Sequence, residues 1–429
     1  MSAGCLYYLS RILPHNGIGF FCFITFLTLL FLVSPPGQAQ EYFKFDKPRK
    51  KLSIKFNQHR NLIIVPVYLN DKGPFNFVLD TGVGNGIITD PSLMKSLELK
   101  KGKEIKITGA GSDQADLKAY IIPNIKVQIS EVTAPSLALT ILSEDVFNLS
   151  SYVGMPIYGI LGYQFFNSFV VRVNFPETLL TLYPPKTFTY KKRDGVRIPF
   201  ELEDQKPYIY ATITMNDSSK VNARMILDTG AGHAISLELG SHPNIKLPEP
   251  ALRTQLGTGL SGTIRGYLGR VRSFQVGKFR MNNVLTSFPD YPDVGAKVIK
   301  AVGRNGNVGN EFLKRFNVII DYYRSSLTLR PNSFYRDPFE HDMCGIELMA
   351  IGEGYNRYVI SKVEPGSPAA DADLRVNDEI LFINSASTHA LTISQIDKML
   401  HTRDNYKLLI ILRREGELIY RFVTLKKRI

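Results

Sequence analysis

Cysteine is scarce in this 429-residue chain: Cys5, Cys22 and Cys344 are the only three. Three thiols cannot form the disulfide framework of a small stapled scaffold, and a length fit for two to three domains must be stabilised by packing instead. Long apolar runs are scarce too. The longest candidate, residues 20–33 (FFCFITFLTLLFLV), has fourteen residues, short of the about twenty that a spanning helix needs, so a polytopic membrane class is excluded. Basic residues outnumber acidic ones, 52 to 39, for a net charge of +13, yet they are dispersed. The short clusters at 47–51, 191–193 and 426–428 are not interleaved with aromatics along one element, so no nucleic-acid partner is expected. With 44% hydrophobic and 21% charged residues, wholesale disorder is excluded as well.

The fourteen-residue run fits the core of a secretory signal. Arg11 precedes it, Ser34-Pro35-Pro36 follows, and Gly37-Gln38-Ala39 supplies a small-x-small cleavage pattern. Cleavage after Ala39 predicts an exported protein, periplasmic or secreted; an uncleaved N-terminal anchor is the alternative and the only membrane contact foreseen. Arg11 is the leader's one charge, so the mature net charge is +12. Cys344 then remains alone, without an intrachain disulfide, and with no paired base among its neighbours it reads as a small packing residue.

What is abundant is self-similarity. Phe75-Asn76-Phe77-Val78-Leu79-Asp80-Thr81-Gly82 returns as Ala223-Arg224-Met225-Ile226-Leu227-Asp228-Thr229-Gly230, 148 residues later. Gly109-Ala110-Gly111-Ser112 and Gly257-Thr258-Gly259 follow at matching distances, then Ile160-Leu161-Gly162 and Asn307-Val308-Gly309. Val173-Asn174-Phe175 and Ile320-Asp321-Tyr322 close the series at an offset of 147. One Asp-Thr-Gly is weak, expected by chance in roughly one chain in ten of this size. Two at equivalent places in a duplication are not coincidence. Both halves read as strands separated by Gly, Pro and Asn-Asp turns, with a short helix over 90–97 opened by Asp90-Pro91.

These residues resemble the aspartic proteases, with a pattern between the two-lobed pepsins and the retroviral enzymes. The resemblance implies an all-β dominated architecture: two homologous retropepsin-like β-barrel lobes, 61–186 and 187–331, forming a pepsin-like bilobal unit after a signal peptide (1–39) and an N-terminal arm (40–60). It implies a catalytic dyad of Asp80 and Asp228, turns braced by Thr81 and Thr229, and backbone bends permitted by Gly82 and Gly230. Gly109, Gly111, Gly257 and Gly259 would belong to flaps, with ordinary hairpin turns as the alternative. Asn307 stands where an apolar residue is usual. Such a dyad supplies general acid and general base from one residue type, because two adjacent carboxyls retain one shared proton. Water attacks directly, so no metal or organic cofactor is implied. Val83 and Ala231 follow the two turns where pepsins carry hydroxyl donors. The dyad should therefore hold its proton to higher pH, giving activity at mildly acidic to neutral pH. His233 has no counterpart in the first half, and a structural or substrate-facing role is expected for it.

After a linker at 332–342, residues 343–429 resemble a PDZ domain, a small α+β module. The resemblance rests on Gly345-Ile346-Glu347-Leu348, Pro365-Gly366-Ser367-Pro368-Ala369-Ala370 and Asn377-Asp378-Glu379-Ile380, with Asp373 and Asn377 replacing a usual glycine pair. It implies a peptide-binding loop at Gly345, Ile346, Glu347 and Leu348 that takes a peptide C-terminus, although Glu347 opposes a carboxylate; docking against the protease lobes is the alternative. The expected protein is a monomeric, exported aspartic endopeptidase acting on extended polypeptide. A catalytically inactive peptide-binding scaffold and a hydrolase of a non-protein envelope amide remain open.

Overall fold

Asn70 and Asp71, both in left-handed backbone (φ 48° and 64°), turn the strand Leu62–Leu69 back onto Lys72–Leu79, with Ile64 opposite Val78 and Val65 opposite Phe77. Short polar side chains tolerate that conformation, and the apolar run Leu62–Val65 beside it is buried on both faces. The computed structural model describes residues 42–107, 117–260, 262–290 and 303–429. The leader and its cleavage point lie outside them, as do Gly109 and Gly111. No described helix is long and apolar enough to cross a membrane.

Lys72–Leu79 runs parallel to Gly159–Leu161, which pairs antiparallel with Ile87–Ile88 on its other side. The second half repeats this: Lys220–Leu227 lies parallel to Gly306–Val308, flanked by Ile235–Leu237. Each half completes its sheet with long hairpins, of nine strands in the first lobe and eight in the second. Helices are short; the one foreseen at 90–97 is Ser92–Ser96, with the Asp90 carboxylate accepting the Ser92 N–H at 2.8 Å.

A third, six-stranded sheet joins the lobes. Val170–Asn174 pairs antiparallel with Phe316–Asp321, and the central partners are Arg172 and Ile319. These two are equivalents at the 147-residue offset, so the register itself places a pseudo-twofold axis between the halves. One hydrophobic core crosses that axis, including Phe77, Leu79, Phe166, Leu227, Phe312 and Phe316.

The segment 332–342, expected to be a linker, is pinned to the second lobe. Arg315 is fully buried and donates to the carbonyls of Asp337 (3.1 Å) and Pro338 (3.0 Å), with its guanidinium 3.7 Å over the Phe339 ring. A buried guanidinium needs such acceptors, and the connecting chain supplies them.

The C-terminal module has its own core, including Leu348, Ile360, Ile396 and Ile410. Its sheet runs Ile346–Ile351, Arg357–Val363, Glu379–Ile383, Lys407–Arg414, Glu417–Thr424. Helix Ile393–Leu400 is opened by a Thr392/Gln395 capping box. Asp373 and Asn377, the glycine replacements, both adopt left-handed backbone (φ 56° and 72°). Hydrogen bonds from Arg421, Arg375 and Arg414 hold the Asp373 carboxyl well below the usual carboxylate range.

Candidate active site

Each Asp-Thr-Gly turn begins one residue past a buried strand. The Asp80 N–H donates to Leu161 O and the Asp228 N–H to Val308 O, both at 2.9 Å, which ties each aspartate to the apolar-x-Gly or Asn-x-Gly strand beneath it. That strand passes so close that a Cβ at Gly162 would lie 1.9 Å from Val83 O, and one at Gly309 2.3 Å from His233 O. Neither position admits a side chain.

The two turns brace each other. Thr81 N–H donates to Thr229 Oγ1 and Thr229 N–H to Thr81 Oγ1, each at 3.0 Å, while the hydroxyls donate to Leu227 O (2.6 Å) and Leu79 O (2.9 Å). Both threonines are fully buried, so the cross-brace is sheltered from competing water. It brings Asp80 and Asp228 together: a Cβ at Gly82 would lie 3.1 Å from Asp80 Oδ1 and 3.3 Å from Asp228 Oδ1. Gly82 and Gly230 were expected for backbone bending, but neither adopts left-handed backbone. At Gly230 the reason is proximity: a Cβ there would stand 2.2 Å from the Asp80 carboxyl.

The Gly82 N–H donates to Asp80 Oδ1 at 2.6 Å, and the Gly230 N–H to Asp228 Oδ1 at 3.0 Å. Burial and the adjacent Asp228 push the Asp80 carboxyl well above its ordinary value. Beyond this, symmetry fails. Asn307 Nδ2 donates to Asp228 Oδ2 at 2.8 Å, and Asn307 Oδ1 lies 2.9 Å from His233 Nε2. In the first lobe Ile160 occupies the place of Asn307 and Asn85 that of His233. Burial lowers the proton affinity of His233 against the pull of Asp228.

Of the flap glycines, Gly257 and Gly259 lie on the hairpin of Ala251–Gly259 with Gly262–Val276, where a bulge falls between Gln255 and Gly257. Leu260 near its tip packs on Leu117, Ala119 and Leu142 of the first lobe. Gly345, Ile346, Glu347 and Leu348 open the PDZ-like strand Ile346–Ile351, an edge strand facing helix Ile393–Leu400. Arg60, from the first lobe, reaches both elements. Its Nε donates to Asp397 at 2.9 Å, its Nη2 to Leu348 O at 3.1 Å and its backbone N–H to Ser394 at 2.9 Å, with the guanidinium 4.4 Å over Tyr152. Burial raises the Glu347 carboxyl against the pull of Arg60 and Lys362. Cys344 is buried and its thiol pushed far up by that burial. A groove of about 1020 Å³ lined by Lys50, Lys51, Arg172, Tyr183, Phe188 and Arg193 shares no residue with the dyad.

The aspartyl protease family matches residues 65–165 and again 211–312, each match enclosing one Asp-Thr-Gly, and the PDZ family matches 359–414. The chain carries two aspartyl protease regions and a PDZ domain. No curated protein matches it. Among solved structures, the chain is similar to the photosystem II D1 C-terminal processing protease, at 20% identity, covering 20% of this chain and 23% of that one, with a TM-score of 0.19. The HtrA3 PDZ domain bound to a phage-derived ligand (FGRWV) matches at 18% identity over 19% of this chain and 80% of that one, TM-score 0.17. This chain thus spans about a quarter of the length of the first (23%).

The link from His233 through Asn307 to Asp228 is the feature that sequence reasoning missed. A signal existed: Asn307 and His233 are two breaks in the repeat that fall in the same half, and a polar break under one aspartate calls for a polar partner.

Proposed function

We propose that this protein is an exported aspartic endopeptidase, monomeric and active on extended polypeptide, with Asp80 and Asp228 as catalytic residues. The observation that carries the reading is the convergence of two carboxyls on a mutual threonine brace, where burial and like charge favour one shared proton. The ionised carboxylate takes a proton from water as its oxygen attacks the scissile carbonyl carbon; the protonated carboxyl gives its proton to the carbonyl oxygen. Collapse of the tetrahedral adduct breaks the C–N bond, returns a hydroxyl proton to the second aspartate and transfers the first aspartate's proton to the leaving amine. The raised Asp80 carboxyl supports activity at mildly acidic to neutral pH. The hairpin carrying Gly257, Gly259 and Leu260 supports a role in covering the substrate. The PDZ domain would recruit substrate or partner through a peptide C-terminus that displaces Arg60 from the strand 346–351 and the helix 393–400.

The test is cleavage of a denatured protein mixture from pH 3 to 8, with products read by mass spectrometry, for wild type, Asp80→Asn and Asp228→Asn. Each substitution is expected to lower the rate by about 10²–10⁴-fold or more. A well-folded wild type that cleaves nothing at any pH would favour a peptide-gripping scaffold or a non-protein envelope substrate.

A further inference from the structure

Asp228 accepts a side-chain donor as well as a backbone one, whereas the donors to Asp80 are the backbone N–H groups of Gly82 and Gly230. Asp228 Oδ1 accepts the Gly230 N–H at 3.0 Å and its Oδ2 the Asn307 amide at 2.8 Å. The first lobe offers Asp80 no such side-chain donor, because Ile160 stands in the equivalent place and Val83 lacks a hydroxyl.

The polarity of this link follows from its near end, where the Asn307 amide donates to Asp228. With Asn307 Nδ2 turned to Asp228, Oδ1 faces His233 Nε2 at 2.9 Å and must receive a proton from it, so His233 carries its hydrogen on Nε2. Donation then runs one way, from imidazole to amide to carboxylate, and is consistent only with an acceptor oxygen on Asp228. The loop bearing His233 is held against the segment after Asn307: Gly309 N–H donates to Ala234 O (2.9 Å), Asn310 N–H to Ala231 O (2.8 Å) and Glu311 N–H to His233 O (3.1 Å).

Resting on the endopeptidase reading, we propose that Asn307, set by His233, makes Asp228 the ionised base of the dyad and Asp80 the holder of the shared proton. Asn307 and His233 are positioning residues. They replace, in one lobe only, the hydroxyl donors absent after both turns, and so decide which aspartate deprotonates water. Other titratable groups around the link leave this polarity intact. Tyr322 feels Asp80 from the inter-lobe sheet, its phenol kept protonated by burial, and Glu311 is committed to Lys314, Arg315 and Asn61.

The experiment titrates the ¹³C-labelled aspartate carboxyls by NMR alongside the pH profile of kcat/KM, the dyad signals being assigned by their loss in Asp80→Asn and Asp228→Asn. Asn307→Leu removes a hydrogen bond to a charged group and is expected to raise the dyad's first proton loss, and the acid limb of the profile, by about one pH unit. The alkaline limb should stay in place. His233→Ala should shift the acid limb in the same direction, and His233→Gln, whose amide can still donate to Asn307 Oδ1, should restore it; a merely structural histidine would change stability without moving the limb. The proposal is overturned if neither Asn307→Leu nor His233→Ala moves the carboxyl titration. A wild type that cleaves nothing while Asn307→Leu still shifts the titration would instead overturn the endopeptidase reading and leave the asymmetry standing.

Discussion

Thr81 and Thr229 each accept one N–H and donate one hydroxyl hydrogen across the pseudo-twofold axis. Replacing Thr229 by Ala strands the Thr81 N–H and Leu79 O in a dry site, and a loss of about 1–3 kcal/mol is expected in chemical denaturation. At the aspartates the cost runs the other way. The folded Asp80 carboxyl is raised above its unfolded value, so ionising it opposes folding once the pH exceeds about 4. Asp80→Asn is therefore expected to unfold at a higher temperature than wild type at pH 7, the gain vanishing below about pH 4; calorimetry across that range checks the sign. Both aspartates, both threonines and both turn glycines were legible in the sequence, because the duplication printed them twice. The link from His233 to Asn307 was not, since the two lie 74 residues apart and only the fold closes that gap.

At the scale of elements, the strand under each aspartate leaves no room for a side chain at its closing glycine. Gly162 and Gly309 need their glycines for space and not for left-handed backbone, since the obstructing atoms are main-chain oxygens that cannot rotate away. Gly309→Ala should cost about 1–3 kcal/mol by overpacking and, by displacing the Asp228 turn, lower kcat more than it alters KM; thermal melts and steady-state kinetics read the two effects. The strands were visible from their apolar runs and turn residues, and the scarcity of helix from its absent periodicity. Pairing was not, because strand partners such as 170–174 and 316–321 come from opposite halves.

Across the whole molecule, the turn of Arg60 and Asn61 spans two sites. Arg60 ties the first lobe to the PDZ strand and helix, while Asn61 Nδ2 donates to Gly232 O at 2.9 Å and to Glu311 at 2.8 Å, beside the Asp228 loop. Arg60→Ala removes the hydrogen bonds to Asp397 and Leu348 O and the contact with Tyr152. It is expected to loosen the PDZ domain from the lobes, seen as faster amide exchange in 346–351 and 393–400 and a larger radius of gyration in solution scattering. Unchanged exchange in both segments would show that Arg60 does not hold the domain.

The sequence by itself determined the duplication, the β-rich character, the paired Asp-Thr-Gly turns and the separate C-terminal module. Each of these is written in local pattern, in residue spacing or in a motif that appears twice. The tertiary structure alone decided that the two turns face each other, that Asn307 and His233 break the symmetry beneath Asp228, and that Arg60 reaches the PDZ strand and helix. The physical reason is the same in each case: a hydrogen bond or a buried contact between residues tens to hundreds of positions apart leaves no periodicity in the chain, and exists only once the sheets have brought its two ends together.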